Sequence, residues 1–183
     1  MPSGKVHDQI TLIGAVCAVP AWLALAPRPW EWGAGLTLIG ATLFSGWMLS
    51  PDLDLDSSIY HRWGPLRYLW WPYQKAIPHR SGLSHSYVLG PLLRLLYFAL
   101  LMWGLFRIGT YALSFLTPLS FDRNQLSRNG GDFVVNLWHT HPQYAQMFLV
   151  GIFFGTALHV AADTIVTNAK RRAHRGHRRR KHH

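Results

Sequence analysis

The chain has 183 residues, enough for one domain with its own buried core, and its single cysteine, Cys17, excludes an intramolecular disulfide. The formal net charge of +10 belongs mostly to one end, because eight of the 18 lysines and arginines lie from Lys170 to Lys181. The rest of the chain is nearly balanced, which excludes a uniformly basic domain. Nine tryptophans, seven tyrosines and nine phenylalanines are typical of a protein that meets lipid headgroups.

Two uncharged apolar runs near the N-terminus predict membrane-spanning helices at about residues 10–26 and 33–50. At about 1.5 Å per residue, runs of this length almost cross a hydrocarbon core of about 30 Å. Pro20 lies inside the first run and predicts a kink. A cleaved signal peptide is the alternative. The preceding segment carries only Lys5 against Asp8, and a second apolar run follows closely, so a retained helix is favoured.

Two further apolar runs predict spans at about residues 87–106 and 145–166. Arg94 and Arg107 each lie near one end of the third span, where an arginine can snorkel or face protein. The connection at residues 121–141 is polar and contains Asn129-Gly130-Gly131, which predicts a loop. The expected fold is an all-α integral membrane bundle of about four helices, followed by a basic, His-rich and disordered tail at residues 169–183.

Lysine and arginine placement predicts that both termini lie in the cytoplasm. The N-terminal segment, the loop at 51–85 and the tail carry one, four and eight of these residues, against one and two in the other connections. On this topology the polar side chains at four helix ends share the cytoplasmic face: His7, Asp52, Asp54, His79, His85, His159 and Asp163. A shared face indicates a single polar site.

The carboxylates after the second span have the chemistry of metal ligands. Asp52, Asp54 and Asp56 alternate, so all three point to one side if the chain is extended. Adjacent carboxylates repel one another unless a cation lies among them, which favours a metal at Asp52 and Asp54, whereas Asp56 is explained as well by a solvated loop. Oxygen and nitrogen donors without a thiolate indicate zinc first, with Mn, Fe or Mg as alternatives, in a hydrolytic site.

His159 and Asp163 lie four residues apart, on one face of the predicted fourth helix. The pair could share a metal ion or form a hydrogen bond near the helix end. Ionisable side chains inside an apolar span usually pair, bind a ligand or relay protons. This position therefore favours a functional role.

Arg80 lies between His79 and His85 and has two interpretations. It could hold phosphate oxygens or a developing anion, or it could be a positive anchor at the membrane edge. Asp54 and Arg80 are accordingly the candidate catalytic residues. The neighbouring serines at 81, 84 and 86 either support ligands or cap the third helix.

Residues 60–75 interleave aromatic and basic side chains, which predicts an element lying on anionic lipid headgroups, with stacking on nucleic-acid bases as the alternative. His61 belongs to this stretch, and His139 and His141 belong to the far connection, so none of the three is a candidate ligand. The tail from Lys170 to His183 is expected to bind anionic lipid, with nucleic acid as the less favoured partner.

Several short motifs together resemble a known family. They are Met1-Pro2-Ser3-Gly4-Lys5-Val6-His7-Asp8, Ser50-Pro51-Asp52-Leu53-Asp54, Arg62-Trp63-Gly64, Tyr73-Gln74-Lys75, His79-Arg80-Ser81 and Ser84-His85-Ser86. Apart from the tail, the chain resembles a bacterial and cyanobacterial family of uncharacterised metal-binding membrane proteins. More distantly it resembles the YdjM family of inner-membrane metal-dependent hydrolases, which usually has Thr where this chain has Ser84.

The resemblance implies a location in the bacterial inner membrane and a kinship, at one remove, with zinc-dependent phospholipase C-like enzymes. It also implies metal binding by His7, Asp52, Asp54, His79, His85, His159 and Asp163. The working hypothesis is a metal-dependent hydrolase acting on a phosphoester of a lipid or of another membrane-associated substrate. The alternatives are a non-catalytic metal-binding or transport protein, and a membrane tether with a structural metal site.

Overall fold

The protein is all-helical in its computed structural model, which describes residues 4–26, 28–77, 86–116 and 123–180. The elements are α1 (Gly4–Leu25), α2 (Trp32–Trp47), a first 3₁₀ helix (Pro51–Asp54), α3 (Ser58–Arg62), a second 3₁₀ helix (Gly64–Trp70), α4 (Trp71–Ala76), α5 (Leu89–Leu116), α6 (Arg123–Thr140) and α7 (Pro142–Arg180). No β-strand occurs among the described residues. The predicted all-α fold is confirmed.

Four helices in the described part of the chain are long and apolar enough to cross a membrane. They are Gly4–Leu25, Trp32–Asp54, Leu89–Phe115 and Pro142–Lys170. The number of predicted spans is thereby confirmed, although each begins or ends a few residues away from the predicted bounds. The earlier start of α1 has a consequence for the site, because His7 lies inside the helix and not before it.

Small residues let α2 and α7 approach closely, and this pair forms the most extensive helix contact of the bundle. A Cβ atom added at Gly151 would lie 2.6 Å from Ala41 Cβ, and one at Gly155 would lie 2.6 Å from the carbonyl oxygen of Thr42. Helices inside a membrane associate through such close packing, since lipid tails are as apolar as the side chains. This contact holds α7 against α2, whose C-terminal end leads into the first 3₁₀ helix.

The segment at residues 51–76 folds back onto one end of the bundle. Leu53, Trp70 and Tyr73 are buried in one cluster with Leu49 of the α2 end and Ile152 of α7. Gln74 Nε2 donates hydrogen bonds of 3.1 Å to the carbonyl oxygens of residues 53 and 55. Some aromatic residues of the 60–75 stretch therefore belong to the buried core, whereas others, including Tyr68 and Trp71, are exposed.

Two regions differ from the expected pattern. The polar connection forms α6, a helix that runs through Asn129-Gly130-Gly131, so the predicted loop is wrong there. Apolar residues at helical spacing, Phe133, Val134, Leu137 and Trp138, follow the two glycines and favour the helix over a turn. The tail expected to be disordered continues α7 as far as Arg180, and its lysines, arginines and alanines are good helix formers.

Candidate metal centre

Three buried side chains from the two ends of the chain converge at one end of the bundle. His7 lies near the start of α1, and His159 and Asp163 lie one turn apart on α7. One ligand atom from each of the three lies within 4.8 Å of the other two. Ligand atoms of a tetrahedral zinc ion lie about 3.4 Å apart, so rotations of these side chains would bring the three onto one ion.

The two imidazoles and the carboxylate face each other directly. His7 Nε2 lies 3.4 Å from Asp163 Oδ1, and His159 Nε2 lies 3.7 Å from Asp163 Oδ2. The imidazole rings stack with their centroids 3.9 Å apart and their planes inclined by 18°. Asp163 thus offers one oxygen towards each ring nitrogen, as expected of a carboxylate shared between two histidines.

Asp52 completes this group from the first 3₁₀ helix. Its Oδ2 lies 3.5 Å from His159 Nε2. Ser50 Oγ lies 3.3 Å from His159 Nδ1 and accepts a hydrogen bond of 3.3 Å from the Asp52 N–H, so one hydroxyl contacts both residues. With the His159 proton on Nδ1, the Nε2 lone pair faces the carboxylates, which is the orientation that a metal-binding histidine needs.

Asp54 occupies a different part of the same end of the bundle. In an extended chain Asp52 and Asp54 would point to one side, as predicted, but Pro51–Asp54 is a 3₁₀ helix. With about three residues per turn, side chains two positions apart diverge. Asp54 is buried and interacts electrostatically with Arg94 and Tyr73.

Arg94 is a fully buried cation next to this site. It enters from α5, and its Nη2 donates a hydrogen bond of 3.3 Å to Thr156 Oγ1. Thr156 in turn lies 3.2 Å from Ser45 Oγ, which donates to the carbonyl oxygen of Ile152 at 2.7 Å. Arg94 therefore joins α5 to the contact between α2 and α7 through a chain of buried hydroxyls.

Tyr73 is a second neighbour of the Arg94 guanidinium. Burial raises the pKa of the Tyr73 phenol, and the neighbouring guanidinium acts in the opposite direction. The phenol therefore stays neutral near pH 7 and remains a hydrogen-bond donor. Arg94 thus interacts with a neutral hydroxyl and with the carboxylates of Asp54 and Asp52.

The described part of the site carries an excess of negative charge. Asp52, Asp54 and Asp163 are mostly buried, and the buried guanidinium of Arg94 interacts with the first two. Two negative charges remain while the imidazoles are neutral, and buried like charges require a cation among them or protonation. A divalent ion would balance this charge, and a donor set of imidazoles and carboxylates suits zinc and other first-row metals. The residues present fit a metal ion.

An outer ion pair braces the start of α1 against the folded-back segment. Arg62 forms a salt bridge with both carboxylate oxygens of Asp8, and its Nη1 also donates to the carbonyl oxygen of Trp47 at 3.2 Å. The indole of Trp47 donates to the carbonyl oxygen of Asp8 at 3.3 Å. Because Asp8 follows His7 directly, these contacts hold the first imidazole in place.

The structure brings together four of the predicted site residues, His7, Asp52, His159 and Asp163, and places Asp54 beside them. His79, Arg80 and His85 lie outside the described residues, as do Ser81 and Ser84. Asp56 is exposed and lies 2.8 Å from His61 Nε2, away from the buried group. His139 and His141 follow α5 and lie at the opposite end of the spans.

The roles of Arg94, Ser50 and Thr156 in this site were not predicted. The signal of Arg94 was ambiguous, because an arginine near the end of an apolar run can either snorkel or face protein. Ser50 and Thr156 had none, since hydroxyl residues are common in membrane helices and bond to the backbone of their own helix. Only the packing of α2 against α7 reveals their contacts.

Fold and site together define a class of protein: a helical bundle with four helices of membrane-spanning length and a buried histidine and aspartate group at one end. The family model described as "Uncharacterized metal-binding protein (DUF2227)" matches residues 2–173. The chain belongs to this family. Comparison with curated proteins and with solved structures gave no match.

Proposed function

We propose that the protein is a membrane-embedded, metal-dependent hydrolase acting on a phosphoester of a lipid or another membrane-associated substrate. The observation that carries the proposal is the buried group of His7, His159 and Asp163 with Asp52 beside it. Its donors are those of hydrolytic metal sites, and the chain belongs to a metal-binding family. The chain also has a distant resemblance to the YdjM family of metal-dependent hydrolases, which supports hydrolysis as the reaction.

In this proposal His7, His159, Asp163 and Asp52 hold the metal ion, with zinc as the first candidate and Mn, Fe or Mg as alternatives. Asp54, His79 and His85 complete the ligand set or a second site. A bound ion of this kind would lower the pKa of a water molecule and would act as a Lewis acid towards a phosphoryl group. Ser50 orients His159 through Nδ1, which keeps Nε2 directed at the carboxylates.

Asp54 and Arg80 are the proposed catalytic residues. In the proposed step Asp54 would take a proton from the attacking water as the new P–O bond forms, and would return it to the leaving alcohol oxygen as the ester P–O bond breaks. Arg80 would contact the anionic group of the substrate. Arg94 interacts electrostatically with Asp54. Since Arg94 is fully buried, it acts as a positioning residue and does not touch substrate.

The position of the group at one end of the spans supports a substrate that lies at the membrane surface. His7 starts α1, and Asp163 lies towards the C-terminal end of the fourth span, so both belong to the same end. The exposed aromatic residues of the 60–75 stretch contact headgroups at this surface and feed a lipid towards the site. The lysine and arginine bias supports a cytoplasmic location for this surface, which we propose lies at a bacterial inner membrane.

A structural metal site is the second candidate function, and one observation favours it. The four side chains come from α1, the first 3₁₀ helix and α7, so an ion among them would cross-link the two ends of the chain. In a tether of this kind the metal stabilises the bundle and no substrate is turned over. Transport is less favoured, because the charged groups crowd one end of the spans.

The first experiment is to measure metal stoichiometry by mass spectrometry on full-length protein in detergent. The tail histidines, His174, His177, His182 and His183, are replaced by Asn so that they contribute no binding. We expect one or two ions per chain, lost in Asp163→Asn and retained in Asp56→Asn, whose exposed carboxylate is the matched control. Absence of bound metal after reconstitution with Zn, Mn and Mg would contradict the proposal.

Turnover separates the two candidate functions. Metal-loaded protein is assayed with a chromogenic phosphodiester and with phospholipid vesicles. On the hydrolase proposal Asp54→Asn abolishes turnover while the protein still inserts into membranes. Bound metal with no hydrolysis of either substrate, together with a loss of thermal stability on chelation, would assign the structural role instead. An active Asp54→Asn variant would remove Asp54 from the mechanism.

A further inference from the structure

A groove of about 770 Å³ lies at the end of the bundle opposite the metal centre. Its walls are the C-terminal half of α1 and the N-terminal half of α7, and α2 forms its floor. The volume is within the range of about 300–1,000 Å³ that holds small ligands in proteins. Its residues take no part in the site described above.

The groove exists because α1 and α7 diverge. They pack tightly at Gly14, where an added Cβ atom would lie 2.2 Å from Leu158 Cδ1. One turn further along α1 the wall begins at Cys17 and continues to Leu25, a length of about 12 Å. Trp22 reaches across to α2, where a Cβ atom at Gly35 would lie 2.9 Å from its ring, and closes the floor.

The lining changes character along the groove. Deep in the groove it is apolar, with Leu38, Met147 and Phe154 facing the small residues of α1. At the mouth lie the cation of Arg28 and the carboxylate of Glu31. An apolar channel with one charge of each sign at its mouth matches an amphipathic molecule whose head carries both signs.

Aromatic residues place the mouth at the level of lipid headgroups. The Trp32 ring contacts the rings of Trp22 and Trp30, with centroids 6.0 and 5.7 Å apart respectively. The guanidinium of Arg28 lies over the Trp30 ring, 4.9 Å from its centroid. Tryptophan clusters with basic residues are typical of the boundary between hydrocarbon and headgroups. The apolar part of the groove then runs into the hydrocarbon layer.

We infer that this groove binds one phospholipid with a zwitterionic headgroup. An acyl chain lies between α1 and α7, the phosphate contacts Arg28, and the ammonium group contacts Glu31. Glu31 also accepts a hydrogen bond from Gln143 Nε2 of α7, so the bound headgroup bridges both walls. An anionic headgroup without an ammonium group would leave Glu31 facing the phosphate, and its binding is therefore weaker.

The bound lipid is a structural ligand and not the substrate of the proposed hydrolase. Along α7 the mouth at Gln146 is 13 residues from His159, about 20 Å of helix, so a headgroup held there is far from the metal centre. The inference is independent of the proposed function. Loss of the lipid should leave metal binding unchanged.

Native mass spectrometry tests the inference on the full-length protein, equilibrated in detergent with equal amounts of phosphatidylethanolamine and phosphatidylglycerol. Wild type should retain one phosphatidylethanolamine. Ala21→Phe places a ring in the groove and should lose it, whereas Ala24→Phe, at an exposed position outside the groove on the same helix, should retain it. Glu31→Gln should shift the preference towards phosphatidylglycerol by about fivefold.

Cys17 gives a second measurement that needs no variant. It lines the groove and is exposed, and it is the single cysteine of the chain. Added phosphatidylethanolamine should slow its alkylation by N-ethylmaleimide severalfold, and phosphatidylglycerol should slow it less. The inference would be overturned if both lipids protected Cys17 equally or if wild type retained no lipid. It would also be overturned if Ala21→Phe and Ala24→Phe retained lipid equally.

Discussion

The imidazole rings of His7 and His159 stack face to face, although one residue lies near the start of the first span and the other near the end of the last. Each ring also points Nε2 at the same carboxylate, that of Asp163. Two stacked imidazolium cations would repel each other, so the arrangement is stable while the rings are neutral. Neutral rings with free lone pairs are also the form that binds metal.

Replacing His7 tests whether the first turn of α1 belongs to the metal centre. His7→Ala should lower metal affinity by at least about 100-fold, because it removes a ligand. Gln9→Ala is the matched control, since Gln9 is exposed on the same turn of α1. Affinity is measured by competition with a chromogenic chelator. Unchanged affinity in His7→Ala would show that the imidazole serves packing alone.

The two aspartates of the first 3₁₀ helix should behave differently. Asp52 lies 3.5 Å from His159 Nε2, whereas Asp54 interacts with Arg94 and Tyr73. We expect Asp52→Asn to weaken metal binding by about 10- to 100-fold. Asp54→Asn should weaken it less while it abolishes turnover. Metal titration of both variants against Asp56→Asn measures this order, and the reverse order would make Asp54 the stronger ligand of the two.

Arg94 should contribute strongly to the stability of the bundle. Arg94→Gln leaves buried carboxylates without their guanidinium and breaks the contact with Thr156, at a cost of about 3–5 kcal/mol. Arg107→Gln, at an exposed position on the same helix, should cost little. Thermal unfolding in detergent, followed by circular dichroism, compares the two. Equal melting temperatures would contradict the buried role of Arg94.

The spans are predictable from sequence because an apolar run of about 20 residues is a strong local signal. Helix α6 is not, because Asn129-Gly130-Gly131 is a local turn signal that the helical spacing of the following residues outweighs. The number of spans is enough to predict that His7, His159 and Asp163 lie at the same end of the bundle. The separation of Asp52 from Asp54 does not, since it depends on the 3₁₀ geometry of Pro51–Asp54.

Arg94 shows a second reason why part of the site escapes sequence reasoning. Its position near a span end fits both an arginine that snorkels and one that faces protein. The choice depends on whether α5 turns this side towards α7, where Thr156 accepts its hydrogen bond. Such a contact between distant segments has no signature in either segment alone.

The close contact of α2 and α7 should tolerate no added methyl group at Gly155. A Cβ atom there would lie 2.6 Å from the Thr42 carbonyl oxygen and 2.8 Å from Ser45 Cβ. We expect Gly155→Ala to destabilise the bundle by about 1–3 kcal/mol through overpacking. Gly104→Ala, on α5 with nothing within 4 Å, should be neutral or stabilising by up to about 1 kcal/mol. Unfolding temperatures of both variants measure the difference.

The basic end of α7 should strengthen attachment to anionic membranes without taking part in chemistry. Eight lysines and arginines lie from Lys170 to Lys181, and each contributes up to about 1 kcal/mol near an anionic surface. Deleting residues 170–183 should therefore reduce preference for anionic over neutral lipid in reconstituted protein, and added salt should reduce it in wild type. Turnover of a soluble phosphodiester should not change.

A variant with glutamine at these eight positions separates charge from chain length. Glutamine is a good helix former, so α7 can keep its length while it loses the cations. If the protein is a hydrolase, this variant and the deletion should both retain turnover and differ from wild type only in lipid preference. If the protein is a tether, both should lose function while they keep their metal, because the basic end would then carry the activity.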